Sequence, residues 1–354
     1  MTKLYPLKFT PKLDCRVWGG NKLLTKFGKT VPEQKEGEPA FDSQHVAESW
    51  ELYDMEELSS PVCCGSLEGN TIGELIETYL GDIVGDNVYD YFGNQFPLLI
   101  KYLDVTERLS VQVHPNDKVA LERYNSFGKT EFWYVMEAEE DACVYMGFKR
   151  DVTVEEFYQG CQNETVDQLM NVFHPKKGDC FMINAGTVHA ASGGIVIAEV
   201  QQQSDMTFRL YDWGREHNPA TARKTHLAEA IDVIDYKKYD EANHIVDARG
   251  NRQLADCKYF TINNVQLDTE REVSNDFGSF VLYMCTGGEA QVRYAGESYS
   301  LKCGETILIP AALESYVLAP VAVGTTLVET YIRPIEEEKD DYIEGDEPIV
   351  EMPE

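Results

Sequence analysis

Positive charge is what this sequence has least of: 31 Lys and Arg stand against 61 Asp and Glu, a net of −30 over 354 residues. A surface of that sign repels phosphate backbones and anionic bilayers, which argues against nucleic acid or a membrane surface as partner. A small phosphorylated ligand stays open, provided that Lys and Arg gather locally to receive it. Long apolar runs are missing too. None reaches the ~18–20 residues of a membrane-spanning helix, and residues 1–9 hold no apolar signal-peptide core, so a cytoplasmic protein is expected. Paired cysteine spacings are absent: there are nine cysteines, an odd number, with no C-x-x-C among them. That pattern reads as reduced thiols and argues against a disulfide framework or a cysteine-only zinc site.

What remains is an ordinary folding composition, 43% hydrophobic and 26% charged, long enough for two or three domains. Strands dominate the pattern. Residues 47–52, 96–105, 109–114, 131–136, 142–148, 178–184 and 194–202 read as strands, and 257–332 as many short strands with Gly-rich turns. Helices are few. Thr71 with Glu74 caps a helix over 71–80, Asn116 or Asp117 caps a short one to about 124, and Thr153 with Glu156 opens one over 153–172. Asn218 and Pro219 predict a helix over 219–234, and the polar stretch 236–256 reads as a linker. The tail, 336–354, holds ten acidic residues and one Lys and reads as an acidic extension with little to bury. The expected division is 1–235, 236–335 and 336–354.

Two segments repeat one pattern. Gly178-Asp179, four strand residues, a turn and His189 are matched 126 residues later by Gly304-Glu305, four strand residues, a turn and Ser315. The pattern resembles the second conserved motif of the cupin family and predicts a mainly β fold of two cupin-type jelly-roll barrels with a few short helices. The copies differ at the last position, so the first barrel alone keeps the histidine. The plainer reading is two ordinary β-hairpins.

A metal site can be assembled around that histidine. In Gln112-Val113-His114, residues two apart share a strand face, so Gln112 and His114 converge while Val113 packs away. Glu131 opens the next strand. Two imidazoles and one or two oxygens suit zinc or another borderline divalent ion, with room left for water or substrate. Taken singly, each has a plain reading: a turn histidine before Pro115, a solvated strand-end Glu.

The ordered blocks Trp18-Gly19-Gly20, Glu48-Ser49-Trp50-Glu51-Leu52, Pro97-Leu98-Leu99-Ile100-Lys101, Leu109 to Pro115, Gly128 to Tyr134, Gly178 to His189 and Glu199 to Asp212 together resemble one family, the type I phosphomannose isomerases in their short bacterial form. The resemblance implies a cupin-superfamily, zinc-dependent aldose–ketose isomerase interconverting mannose 6-phosphate and fructose 6-phosphate. It implies Gln112, His114, Glu131 and His189 as ligands of one zinc per chain and Arg209 as the catalytic arginine. Lys101, Ser110 and Lys129 fall at positions lining the substrate pocket, with Trp18 near them. Two departures matter. Longer members read His-Lys-Pro-Glu where this chain reads Gly128-Lys129-Thr130-Glu131, so no role of that histidine carries over. The large helical insertion of longer members is also reduced here to residues 137–177.

The residues themselves leave choices open. Arg209 can neutralise an enediolate with a planar, permanently charged fork, or pair with nearby Asp212. Lys129 would share a strand face with Glu131, and can hold phosphate or transfer a proton. Lys101 interrupts an apolar run, where a charge needs a partner: a buried ion pair or a sugar-phosphate contact. A non-catalytic sugar-phosphate-binding cupin is the main alternative. An iron or manganese oxygenase would want more histidines and would leave the Lys and Arg residues idle.

Overall fold

The strand Leu98–Val105 shows how the core is organised. All eight of its residues are buried, so both faces pack. Alternation sends Leu98, Ile100 and Tyr102 to one side, where they join Phe280, Tyr283 and Leu308 from the second half of the chain. Leu103 and Val105 point the other way, into a cluster with Trp133, Val144, Met146 and Ile197. Each such fully buried side chain contributes about 1.5–3 kcal/mol, so the two halves share one core.

The computed structural model describes residues 3–33, 37, 39–55 and 58–334; the expected acidic tail, 336–354, lies outside them. The fold is mainly β. A seven-stranded sheet runs in the order Lys12–Gly20, Val46–Leu52, Leu98–Val105, Ile195–Gln202, Glu131–Ala138, Cys180–Ile183, His244–Ile245. Against it lies a five-stranded sheet: Phe208–Tyr211, Val111–Val113, His189–Ser192, Cys143–Phe148, Met170–Phe173. From residue 252 onward, a second pair of sheets has five and four strands. The pairings around the site are antiparallel.

Several expected elements form as read. Thr71 and Glu74 make reciprocal capping bonds at Ile72–Tyr79, Thr153 and Glu156 do the same at Val154–Gln162, and Asn116 accepts from the Val119 amide to open Asp117–Tyr124. Others differ. The expected 153–172 helix stops at Gln162; a 3-10 turn, Val166–Leu169, leads into the strand Met170–Phe173. There the Asn171 amide donates to the carbonyls of Met146 and Phe148 at 3.0 and 3.1 Å, which draws the chain onto the sheet.

The helix expected over 219–234 is reduced to Leu227–Ala230. Arg223 is pulled to Asp212, at 2.9 and 2.6 Å, and the His226 amide donates to the Arg209 carbonyl at 2.7 Å. These tertiary bonds outweigh a Pro-led helix start. The expected linker is structured as well. Tyr239 is buried, His244–Ile245 pairs with Cys180–Ile183, and Arg252–Asp256 forms an edge strand. In that edge strand Arg252, Gln253 and Asp256 are exposed while the backbone pairs. Three short α-helices, Lys22–Thr25, Gly81–Val84 and Asp86–Phe92, form where the sequence pattern predicts none.

Candidate metal centre and active site

The site lies between the first two sheets. Phe208 and Leu210 pack outward with Val111 and Val113, so strand alternation turns Arg209 and Gln112 inward. His189 faces Gln112 across the strand register, and so does Arg209. From the opposite sheet, Lys101 and Trp133 flank Glu199 in register, and Glu131 opens its strand against Gln201. Long-range register thus gathers residues that are dispersed in the chain.

His114, Glu131 and His189 are buried, with one candidate ligand atom from each lying within 4.8 Å of the others. His114 Nε2 is 3.2 Å from Glu131 Oε1, and His189 Nε2 is 3.4 Å from Glu131 Oε2. Yet His114 Nε2 and both Glu131 oxygens lack any well-aligned hydrogen bond. Buried polar atoms without partners are costly, and these converge on common space. The Nδ1 atoms are committed elsewhere: His114 donates to the Met206 carbonyl and His189 to the Thr187 carbonyl, each at 2.9 Å. Those bonds fix the tautomer that leaves Nε2 a lone pair, as a metal ligand requires. The Gln112 amide lies 3.2 Å from His189 Nε2; half a turn of that amide presents its oxygen instead.

Charge states agree with this arrangement. Burial, followed by the Lys129 charge, pushes the His114 pKa down to about 3. Burial also lowers that of His189. Burial alone would raise Glu131, but Lys129 and His114 hold its carboxyl well below the ordinary value. Two neutral imidazoles and an ionised carboxylate form a donor set that fits a borderline divalent ion such as zinc.

Beside the centre is a cavity of about 320 Å³, walled by Trp18, Lys101, Ser110, Gln112, Lys129 and Arg209 among others. All the residues singled out in the sequence are therefore gathered at one place. Gln112 and Lys129 belong both to the cavity wall and to the surroundings of the triad, for Lys129 Nζ lies 2.8 Å from Glu131 Oε1.

The open choices resolve unevenly. Lys101 is buried and ion-paired, with Glu48 at 3.3 Å, Glu199 at 3.8 Å and Asp205 at 3.9 Å. These carboxylates outweigh desolvation and raise its pKa. The buried-ion-pair reading is thus the one seen, on a residue that still lines the cavity. Asp212 pairs with Arg215 and Arg223. Arg209 instead donates to the Lys224 carbonyl, and its Nε has no partner. Burial, then repulsion from Arg223, brings the Arg209 pKa down to about 10, so it remains cationic at neutral pH.

Sequence reasoning assigned no role to Glu199, Glu48, Asp205, Arg16 or Arg223, all of which line the cavity. Glu199 carried a usable signal: it is the lone charge in Ile195–Gln202, just as Lys101 is almost alone in its strand. Burial and the nearby Glu131 charge push its pKa up to about 7, against the opposing pull of Lys101, Lys129 and the Trp133 indole.

Residues 7–140 match the sequence model described as phosphomannose isomerase type I, catalytic domain, and residues 251–321 match the mannose-6-phosphate isomerase cupin domain. The chain is 32% identical over 321 residues to the mannose-6-phosphate isomerase ManA of Bacillus subtilis, covering 88% of this chain and 95% of that one. It is 30% identical over 318 residues to the mannose-6-phosphate isomerase of Streptococcus mutans, covering 88% and 94%. A crystal structure of the Bacillus subtilis mannose 6-phosphate isomerase superposes with a TM-score of 0.77 at 25% identity, over 93% of this chain and 100% of that one.

Proposed function

Since the chain belongs to the type I phosphomannose isomerases, we propose that it is a zinc-dependent aldose–ketose isomerase interconverting mannose 6-phosphate and fructose 6-phosphate through an enediol(ate). The observation that carries this reading is the convergence of buried His114 Nε2, His189 Nε2 and the Glu131 carboxylate, with no hydrogen bond to His114 Nε2 and only the Lys129 ion pair at Glu131, beside a cavity holding Lys129, Glu199 and Arg209.

Gln112, His114, Glu131 and His189 would hold one zinc per chain. Bound there, the ion supplies electrostatic stabilisation of negative charge developing on a substrate oxygen. The chain's own residues do the rest. The sugar phosphate occupies the cavity against Trp18 and Ser110. Glu199, with a pKa near 7, takes a proton from C2 and returns it to C1, a role typically worth roughly 10²–10⁴ in rate, while the hydroxyl proton passes from the C2 oxygen to the C1 oxygen across the enediolate. Arg209 balances the enediolate charge with its fixed fork. Lys129, held at Glu131, donates a hydrogen bond to the reacting oxygens rather than acting as the base. Lys101 keeps Glu199 and Glu48 in place by ion pairing.

The same reading makes each pair of sheets a cupin-type jelly roll, the first carrying the ligands and the second none. The pairing of His244–Ile245 with Cys180–Ile183 supports extending the first unit, expected over 1–235, as far as residue 245. The body of the enzyme would work in the cytoplasm.

The test is a coupled assay of the purified protein with mannose 6-phosphate. Turnover supports the proposal. A folded, zinc-loaded protein that binds the sugar phosphate without converting it would instead be a binding cupin.

A further inference from the structure

The loop carrying Lys129 is held by its backbone amides. Gly128 N–H donates to Asp117 Oδ1 at 3.1 Å, Lys129 N–H to the Pro115 carbonyl at 3.0 Å, and Thr130 N–H to Gln202 Oε1 at 2.9 Å. Gln202 in turn donates its Nε2–H to Asp117 Oδ1 at 2.8 Å. Asp117 is therefore the hub of two of the three bonds, and its other oxygen faces away from the loop. There it accepts from the Tyr259 hydroxyl at 2.5 Å and pairs with Lys258 Nζ at 3.0 Å.

Lys258 and Tyr259 lie between Arg252–Asp256 and Thr261–Leu267, in the half of the chain that carries none of the candidate metal ligands. The contact is close by construction. A β-carbon on Gly128 would come within 2.5 Å of the Asp117 nitrogen and 2.7 Å of the Asn116 carbonyl carbon, so only glycine lets the loop sit directly on the start of Asp117–Tyr124.

We infer that Lys258 and Tyr259 are positioning residues: through Asp117 and Gln202 they fix the Gly128–Thr130 loop, and so the second half of the chain sets the placement of Lys129 in the active site. The catalytic part of this inference rests on the reading of Lys129 given above; the mechanical part does not. The second cupin-like half then has a task beyond sharing a core. Lys129 Nζ approaches Glu131 to 2.8 Å, and misplacing a catalytic group by about 1 Å costs up to about 10²-fold in rate.

The experiment uses the full-length zinc-loaded protein and the double variant Lys258→Met/Tyr259→Phe, which removes the two partners that the second half of the chain gives Asp117 Oδ2 while keeping the aromatic ring and the aliphatic stem. Amide hydrogen exchange is followed by mass spectrometry, alongside kcat and KM for mannose 6-phosphate. The inference predicts exchange about tenfold faster in the segment spanning 126–131, against unchanged exchange in Leu98–Val105, with kcat lowered about tenfold and KM within about threefold. Lys258→Arg, which restores the cation, regains most of the kcat lost by Lys258→Met. Exchange over 126–131 equal to wild type overturns the inference, and so does faster exchange with kcat unchanged. If the wild-type protein turns over no mannose 6-phosphate, the proposed function fails while the exchange measurement still decides whether the clasp exists.

Discussion

Trp133 donates its indole N–H to Glu199 at 2.7 Å, and the two residues face each other in register across neighbouring strands. The bond fixes the carboxyl against the cavity wall without supplying a full countercharge. Burial and the Glu131 charge, against the pull of Lys101, bring the Glu199 pKa up to about 7, the range that suits the proposed proton transfer.

Glu199→Gln keeps the acceptor for Trp133 and removes the base. It is expected to lower kcat by about 10²–10⁴-fold with little change in KM. In wild type, kcat/KM should rise with pH through a limb at or below about 7, because zinc on Glu131 relieves part of the repulsion that raises Glu199. The variant should lack that limb. Stability gives an independent check on the metal-free protein. A folded Glu199 keeps its proton to about pH 7, whereas an unfolded glutamate releases it near 4.5. Its contribution is fully present below 4.5 and lost as pH rises through about 7. Wild type should therefore lose stability relative to Glu199→Gln across that window.

Lys101→Met is expected to act first on stability. It leaves Glu48 and Glu199 buried without their cation, a change that costs about 3–5 kcal/mol. Adding Glu48→Gln should recover part of the loss. Thermal unfolding of the single and double variants measures this; a Tm equal to wild type in Lys101→Met would return Lys101 to the role of a simple substrate contact.

The proposed metal centre predicts an acid-sensitive apo form. Folded His114 resists protonation down to about pH 3, whereas an unfolded histidine takes a proton near 6.5. Folded stability should therefore fall as pH drops through that interval, and His114→Gln should flatten the fall. Glu131→Gln should abolish zinc retention, read by metal analysis after dialysis, and lower turnover with it.

Arg209→Ala should reduce kcat by about 10²–10³-fold while Tm moves by no more than a few degrees. Its loss orphans only the Lys224 carbonyl and relieves repulsion from Arg223. Arg209→Lys should not restore full activity, since an ammonium lacks the planar fork. Steady-state kinetics with parallel melting curves separates these outcomes.

The convergence of His114, Glu131 and His189 is legible in the sequence because its cues are local. Gln112 and His114 follow the period of a strand, and His189 ends a repeat marked by Gly178. What it hid depends on register between distant strands. Lys101 was visible as a charge in an apolar run, but its partners, Glu48 and Glu199, come from the strands on either side. The helix read over 219–234 failed for the same reason: Pro219 and Asn218 are local signals, whereas the Asp212–Arg223 pair that opposes them is tertiary. The polar stretch after 235 looked like a linker because pairing of His244–Ile245 uses backbone, which composition does not report.

If the triad and the cavity form a single zinc-dependent isomerase site, bound zinc and turnover must titrate together. The protein is stripped by chelation, zinc is returned in steps, and bound metal and mannose 6-phosphate turnover are measured on the same samples. Activity should vanish on stripping and rise in proportion to bound zinc, saturating at one ion per chain. Full turnover by the stripped protein, or none at one zinc per folded chain, would contradict it.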